Sequence, residues 1–153
     1  MESVDKLLLL THAAATLFLV GLIWFVQVVH YPLFAQVGAG EFIAYAASHG
    51  QRTTYVVTGP MLVELITAVW LVVRGVPGGA PTVVAWVGLA LVAAVWLSTF
   101  FLQVPQHTAL ASGFQPEPWR VLVTSNWLRT AAWTARGGLV LYLLARAMRG
   151  GQW

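Results

Sequence analysis

The chain contains no cysteine, which excludes disulfides, thiolate metal sites, iron–sulfur clusters and a thiol nucleophile. Charge is nearly as scarce. Only 8% of its 153 residues are Asp, Glu, Lys or Arg, against roughly 25% in soluble domains, too few to coat a water-soluble globule of this size. No phosphate-binding glycine loop, no serine nucleophile elbow and no HxxH or HExxH run is present. A basic cluster interleaved with aromatics is also missing, so the formal net charge of +3 does not point to nucleic acid. Glu2 and Asp5 stand where a secretory signal would be basic, and the first apolar run is longer than a signal's apolar core. That run reads as a retained membrane helix.

What the chain has in abundance is apolar surface, 59% of its residues. A membrane helix needs about 20 mostly apolar residues, and four stretches qualify: 7–29, 54–73, 82–102 and 121–148. The fold class expected is therefore all-α, an integral membrane four-helix bundle forming one domain over residues 1–153. The connections differ in kind. Residues 74–81, RGVPGGAP, form a short turn, whereas the first connection is long and its EFIAYAASHGQR stretch could be an interfacial helix or an outward extension of the second span. Pro116 and Pro118 mark a break before the fourth span, which could start near Trp119. Lys6, Arg74, Arg146 and Arg149 cluster on the side of the termini, and Arg52 and Arg120 on the other. The rule that Lys and Arg stay cytoplasmic then places both termini inside a plasma membrane, the inner membrane in a bacterium.

The polar residues repeat. Gln27 has a counterpart in Gln103, 76 positions on, and His30, Arg52 and Thr53 have counterparts in His107, Arg129 and Thr130, each 77 positions on. Two helix pairs crossing in the same sense would form a parallel repeat about an axis along the membrane normal, bringing these residues together near the outer face. Chance identity between apolar sequences is the alternative.

Ionisable groups within spans face a bundle interior or a watery cavity, because lipid solvates them poorly. Glu64 lies about 16 Å from the outer end of its span, at a depth between Arg129 and Arg136. A Glu64–Arg pair would offset part of the desolvation cost, whether it serves structure, ligand binding or proton handling. His30, His49 and His107 sit toward the outer ends of three spans. Neutral imidazoles of this kind could hold a divalent metal, or two of them a haem, or they could be interfacial or interhelical hydrogen-bonding groups. His12 is about 27 Å from His30 along a straight helix and belongs elsewhere. Of the eight tryptophans, Trp24, Trp70, Trp86, Trp119 and Trp153 read as interfacial anchors. Trp96, Trp127 and Trp133 could wall a site for an apolar substrate. Gly59-Pro60 suggests a kink beside a cavity, and Gly137-Gly138 a close helix contact.

The stretch NWLRT (126–130), the stretch QVPQHTAL (103–110) and the four-span layout resemble the anthrone-oxygenase-like family of small membrane proteins. Family members carry an Asn-x-x-Arg-Thr stretch opening the last helix and a His-Pro-type stretch closing the third. Here the third-span stretch reads Pro-Gln-His, and the His-x-Pro order appears instead at His30-Tyr31-Pro32. By residue the resemblance singles out His107, Asn126, Arg129 and Thr130, and it implies an oxidoreductase acting on polyketide anthrones. The resulting expectation is a membrane-embedded oxidoreductase with an outward-opening pocket for a small lipophilic molecule. Its site would comprise Glu64, Arg52, Arg129, Asn126 and Gln103, with His30, His49 and His107 as metal ligands or acid–base groups. A small-molecule or ion carrier, for which four spans would require a homo-oligomer, and an accessory subunit of a membrane complex are the alternatives.

Overall fold

The computed structural model describes residues 3–76 and 79–149, with the side chain of Ser3 left aside. Glu2, Trp153 and the Pro77-Gly78 step of the expected turn lie outside the described residues. Four long helices account for almost the whole of it. Helix α1, Ser3–Phe25, runs on through a π-helical turn, Val26–His30, into the short pieces Tyr31–Leu33 and Phe34–Gln36. Helix α2 is Phe42–Arg74. Helix α3, Thr82–Ser98, continues through a second π-helical turn, Thr99–Gln103, into Val104–Leu110. Helix α4 is Pro116–Arg149. Among the described residues there is no strand.

The helices are longer than their apolar cores. The EFIAYAASHGQR stretch is not a separate interfacial helix: α2 begins at Phe42 and runs through it, and on through Pro60, which has no N–H to return to Val56. The long first connection therefore shrinks to residues 37–41. Helix α4 begins at Pro116, where the missing N–H of a first-turn proline costs nothing. Three stretches are long and apolar enough to cross a membrane: Val4–Gln36, Phe42–Arg74 and Thr82–Leu110. Helix α4, expected as a fourth span, is as long but less apolar, because Arg129 and Arg136 interrupt it; both are buried.

Each helix packs on two neighbours, in the cyclic order α1, α2, α3, α4, with α1 and α3 diagonal. The apolar core has three levels. At the level of the termini lie Leu9, Leu71, Leu143 and Ala147. In the middle are Leu19, Ile23, Met61, Val95 and Trp133. At the far end, Tyr31, Phe34, Phe42, Leu110 and Leu122 close the bundle. Only 22% to 39% of each apolar window is buried within the protein, so most of this apolar surface faces outward.

The two π-turns share one cause. A proline in a helix cannot donate to the fourth residue back, and its ring clashes with that carbonyl. Pro32 and Pro105 each stand two residues after the end of a π-turn, where one extra residue relieves the clash; Tyr31 N–H reaches back to Val26 and Val104 N–H to Thr99. This feature is spaced by 73 positions. In that register His30 matches Gln103 rather than His107. Helices α1 and α4 meet at Gly137, where an added Cβ would lie 3.2 Å from Val20 Cγ2. Gly138 is exposed and has open space beside it, so only the first of the two glycines makes the expected close contact. Gly137→Leu is expected to lower the unfolding free energy in detergent by about 1–3 kcal/mol, and Gly138→Ala, which puts a better helix former at an open helix position, to raise it by up to about 1 kcal/mol. Equal effects of the two would show that α1 and α4 do not pack through Gly137.

Candidate functional site

Two polar groups occupy the interior, one above the other. The first is built on Glu64. Its Oε1 accepts from Arg136 Nε at 2.7 Å and from Thr16 Oγ1 at 2.8 Å, and its Oε2 accepts from Trp133 Nε1 at 3.0 Å. Glu64 and Arg136 are 1% and 2% exposed, so lipid and water are both kept away. Arg136 Nη1 also donates to the carbonyl of Gly88. The third partner of Arg136 is His12, whose Nε2 lies 3.4 Å from Arg136 Nη2 and whose Nδ1 lies 2.7 Å from Thr67 Oγ1. The Thr67 hydroxyl already donates to the Val63 carbonyl. His12 Nδ1 must therefore donate to it, leaving Nε2 as the acceptor that faces Arg136. All four helices contribute to this network. Among the described residues its only ion pair is the one expected from the depth of Glu64, with Arg136 rather than Arg129 as the partner.

The second group lines a cavity of about 450 Å³ in the half of the bundle away from the termini. That volume suits a small ligand. Leu19, Ile23, Val26, Phe34 and Val57 supply apolar wall, and Tyr31, His49, Gln103, His107 and Arg129 supply polar groups. The indole of Trp133 also lines the cavity while its N–H holds Glu64, and the Arg129 guanidinium lies 5.1 Å from the centre of a Trp133 ring. Trp133 thus joins the two groups.

Arg129 is held by a chain of amides. Gln27, buried in the first π-turn, donates to the Val123 carbonyl and accepts from Asn126 Nδ2 at 2.9 Å, and Asn126 Oδ1 accepts from Arg129 Nη1 at 3.3 Å. In the second π-turn, Gln103 Nε2 donates to Ser125 Oγ at 2.9 Å. Ser125 spends its own proton on the Val121 carbonyl, which fixes the amide orientation and leaves Gln103 Oε1 buried without a partner. Arg129 Nε is likewise buried and unpaired.

The three outer histidines come together. His30 Nε2 and His49 Nδ1 are 2.7 Å apart, the rings of His49 and His107 stack at 5.2 Å, and His107 Nε2 lies 3.0 Å from the Tyr31 hydroxyl. These are two hydrogen-bonded pairs joined by a stacked ring contact. Two imidazole nitrogens on one tetrahedral ion sit about 3.3 Å apart, given metal–nitrogen distances of about 2.0–2.1 Å. Among the described residues no group of three or more His, Asp or Glu side chains is arranged to hold a metal ion. The expected ligand role of His30, His49 and His107 thus has no support in their geometry.

Of the other expected site residues, Gln103 and Arg129 line the cavity, and Asn126 is fully buried behind Arg129. Glu64 lies beneath the cavity, reached through Trp133. Arg52 is exposed and lines no part of it. Thr130 is buried against its own helix. Trp127 faces outward and meets Trp24 edge-on, and Trp96 is likewise absent from the wall. Sequence reasoning passed over Tyr31 and Thr16. The one signal for Tyr31 is its place between His30 and Pro32. Thr16 gives no such signal.

Glu64→Ala leaves a buried guanidinium without its counter-charge and is expected to cost about 3–5 kcal/mol of unfolding free energy. The Glu64→Leu/Arg136→Met double variant, which removes both charges, is expected to recover more than half of that loss in the same denaturation experiment. A double variant no better than the single would show that the hydrogen bonds to Thr16 and Trp133, not the charge pair, dominate. No protein-family model matches this chain, and no curated protein or solved structure is detectably similar to it.

Proposed function

We propose that the protein is a membrane-embedded enzyme acting on a small lipophilic molecule bound in the 450 Å³ cavity, and that its chemistry begins with proton abstraction. The observation that carries this reading is the convergence of His49, with His30 bonded behind it, the Tyr31–His107 pair and Arg129 on a largely apolar chamber. The large outward-facing apolar surface of the three long apolar helices supports residence in a bilayer. The position of Lys6, Arg74, Arg146 and Arg149 supports an orientation with the termini on the cytoplasmic side.

His49 is the base. Its Nδ1 is tied to His30 Nε2, and its Nε2 has no protein partner among the described residues. A proton accepted at Nε2 can be matched by one released from Nδ1 to His30, which is half-exposed and can pass it outward. Arg129 stabilises the oxygen anion that results, and the Gln27–Asn126 chain holds the guanidinium in place. Tyr31 and His107 form a second proton-exchanging couple beside it, the His107 ring stacked on that of His49. The resemblance to the anthrone-oxygenase-like family adds an oxidoreductase outcome, with dioxygen as the oxidant: a methylene group and dioxygen give a carbonyl group and water.

The test is turnover of an anthrone in air by the protein in lipid nanodiscs, followed by quinone absorbance and oxygen uptake. Turnover by the wild type, falling by about 10²–10⁴-fold in His49→Ala and His107→Ala, is the expected result. Binding without turnover would replace the enzyme with a carrier that uses the same chamber.

A further inference from the structure

The buried charges of the bundle do not balance. Among the described residues they are Glu64, Arg129 and Arg136, one negative and two positive. Glu64 is committed to Arg136, so the positive charge left over is that of Arg129, a group that stays ionised in proteins. Arg129 is more than nine-tenths buried, and no carboxylate among the described residues pairs with it. Its Nη1 donates to Asn126, and its Nε is closed off without a partner. Nη2 has no acceptor among the described residues and is not closed off, so it is the nitrogen that Arg129 presents to the cavity it lines. The face of Trp133 attracts the guanidinium but supplies no counter-charge. An unbalanced charge in an apolar interior is costly, and charged side chains within membrane helices find a counter-charge or a watery cavity. No Asp or Glu lines this cavity, and Leu19, Ile23, Val26 and Val57 give it an apolar wall. Its exposed lining residues, Ala47, Gly50 and Thr54 on α2 and Thr108 and Ala111 on α3, lie toward the polar outer ends of their helices. An ion can therefore reach it without crossing the apolar middle of the spans.

From this we infer that the cavity takes an organic monoanion, a carboxylate on a compact apolar body, whose charge pairs with Arg129 through Nη2. The inference rests on the ligand chamber of the reading above and narrows its substrate class to carboxylic acids. One negative charge matches the one positive charge left over. A carboxyl group, with an ordinary pKa of about 4, is ionised at neutral pH, whereas a phenol, at about 10, would have to give up its proton in an apolar site. A phosphate monoester brings close to two charges at neutral pH, one of which would go unmatched. A small inorganic anion would meet Arg129 but leave the apolar wall against water. The Gln27–Asn126 chain gains a purpose here: it holds the guanidinium in place before the carboxylate arrives.

The experiment uses the full chain in nanodiscs of zwitterionic lipid, with empty nanodiscs as blanks. The probes are 2-naphthoate, its neutral amide 2-naphthamide, and acetate, and binding is read by calorimetry at neutral pH. The wild type is expected to bind naphthoate about 10-fold or more tightly than naphthamide, the worth of a charged over a neutral hydrogen bond, and acetate more weakly than naphthoate. Arg129→Gln, which keeps an amide donor but drops the charge, is expected to bind the two naphthyl probes alike. Its affinity for naphthamide should stay near that of the wild type, which shows the chamber intact. Arg129→Lys, which keeps the charge, is expected to retain part of the preference, and it decides the matter if Arg129→Gln does not fold. Equal affinity of the wild type for naphthoate and naphthamide overturns the anion. Acetate bound as tightly as naphthoate overturns the apolar body. A preference that survives Arg129→Gln overturns the pairing with Arg129. Failure of the wild type to bind any probe overturns the ligand chamber itself, and the inference with it. Charge-selective, Arg129-dependent binding in a protein that turns over no anthrone sustains the inference while the enzymatic reading fails; anthrone turnover with no preference for naphthoate does the reverse.

Discussion

The ion pair between Glu64 and Arg136 sets the terms for the rest of the molecule. Two charges at 1% and 2% exposure are tolerable only if every remaining donor and acceptor around them is met. Meeting them takes Thr16 from α1, Gly88 from α3, and Trp133 and Arg136 itself from α4. Helix rotation and vertical register are thereby fixed at one level for all four helices. Apolar packing could not do this alone, because apolar contacts in a bundle of this kind are tolerant of sliding and turning. The Cβ-free backbone at Gly88 and the Gly137–Val20 contact belong to the same level of the bundle.

Above that level the interior is deliberately incomplete. The π-turns at Val26–His30 and Thr99–Gln103 shift the succeeding turns of helix by one residue relative to a regular helix, and each holds a buried glutamine. Gln27 uses its nitrogen on the Val123 carbonyl and its oxygen on Asn126, and through Asn126 holds Arg129. Gln103 is only half used. The same local device thus gives one positioning residue and one open acceptor. A chamber with stacked and hydrogen-bonded imidazoles on one side and a buried arginine on another can both bind and polarise an oxygen-bearing molecule.

Much of this was legible in the sequence. Long apolar runs interrupted by turn residues announced the helices, and a lone carboxylate at the depth of two arginines announced an ion pair. The convergence of His30, His49 and His107 was legible from their positions at the outer ends of their spans. What could not be read was orientation at the scale of one residue. Arg52 and Thr53 are neighbours in sequence, yet only Thr53 faces the cavity, and composition cannot say which way a helix is turned. The repeat suggested by matching residue types, at 76 or 77 positions, differs from the 73-position register of the proline-linked π-turns. A backbone irregularity follows proline, whereas the eye follows histidine. The helix ends were also hidden, since Phe42–Thr53 carries enough polar residues to look like a connection.

The distribution of the central network along the chain bears on how the protein is made. Glu64 and the groups that first surround it, Thr16, Thr67 and His12, are on α1 and α2, but its counter-charge is on α4. During synthesis the helices emerge in order, so the carboxylate waits through the production of about 70 further residues, roughly 4 to 14 seconds at ordinary translation speeds, before Arg136 arrives. Until then the first three helices hold a polar centre without its counter-charge. The arginine-bearing last helix, the least apolar of the four, is in turn the one that most needs a partner already in place. Glu64 can act as its template, so that the order of synthesis and the order of assembly coincide.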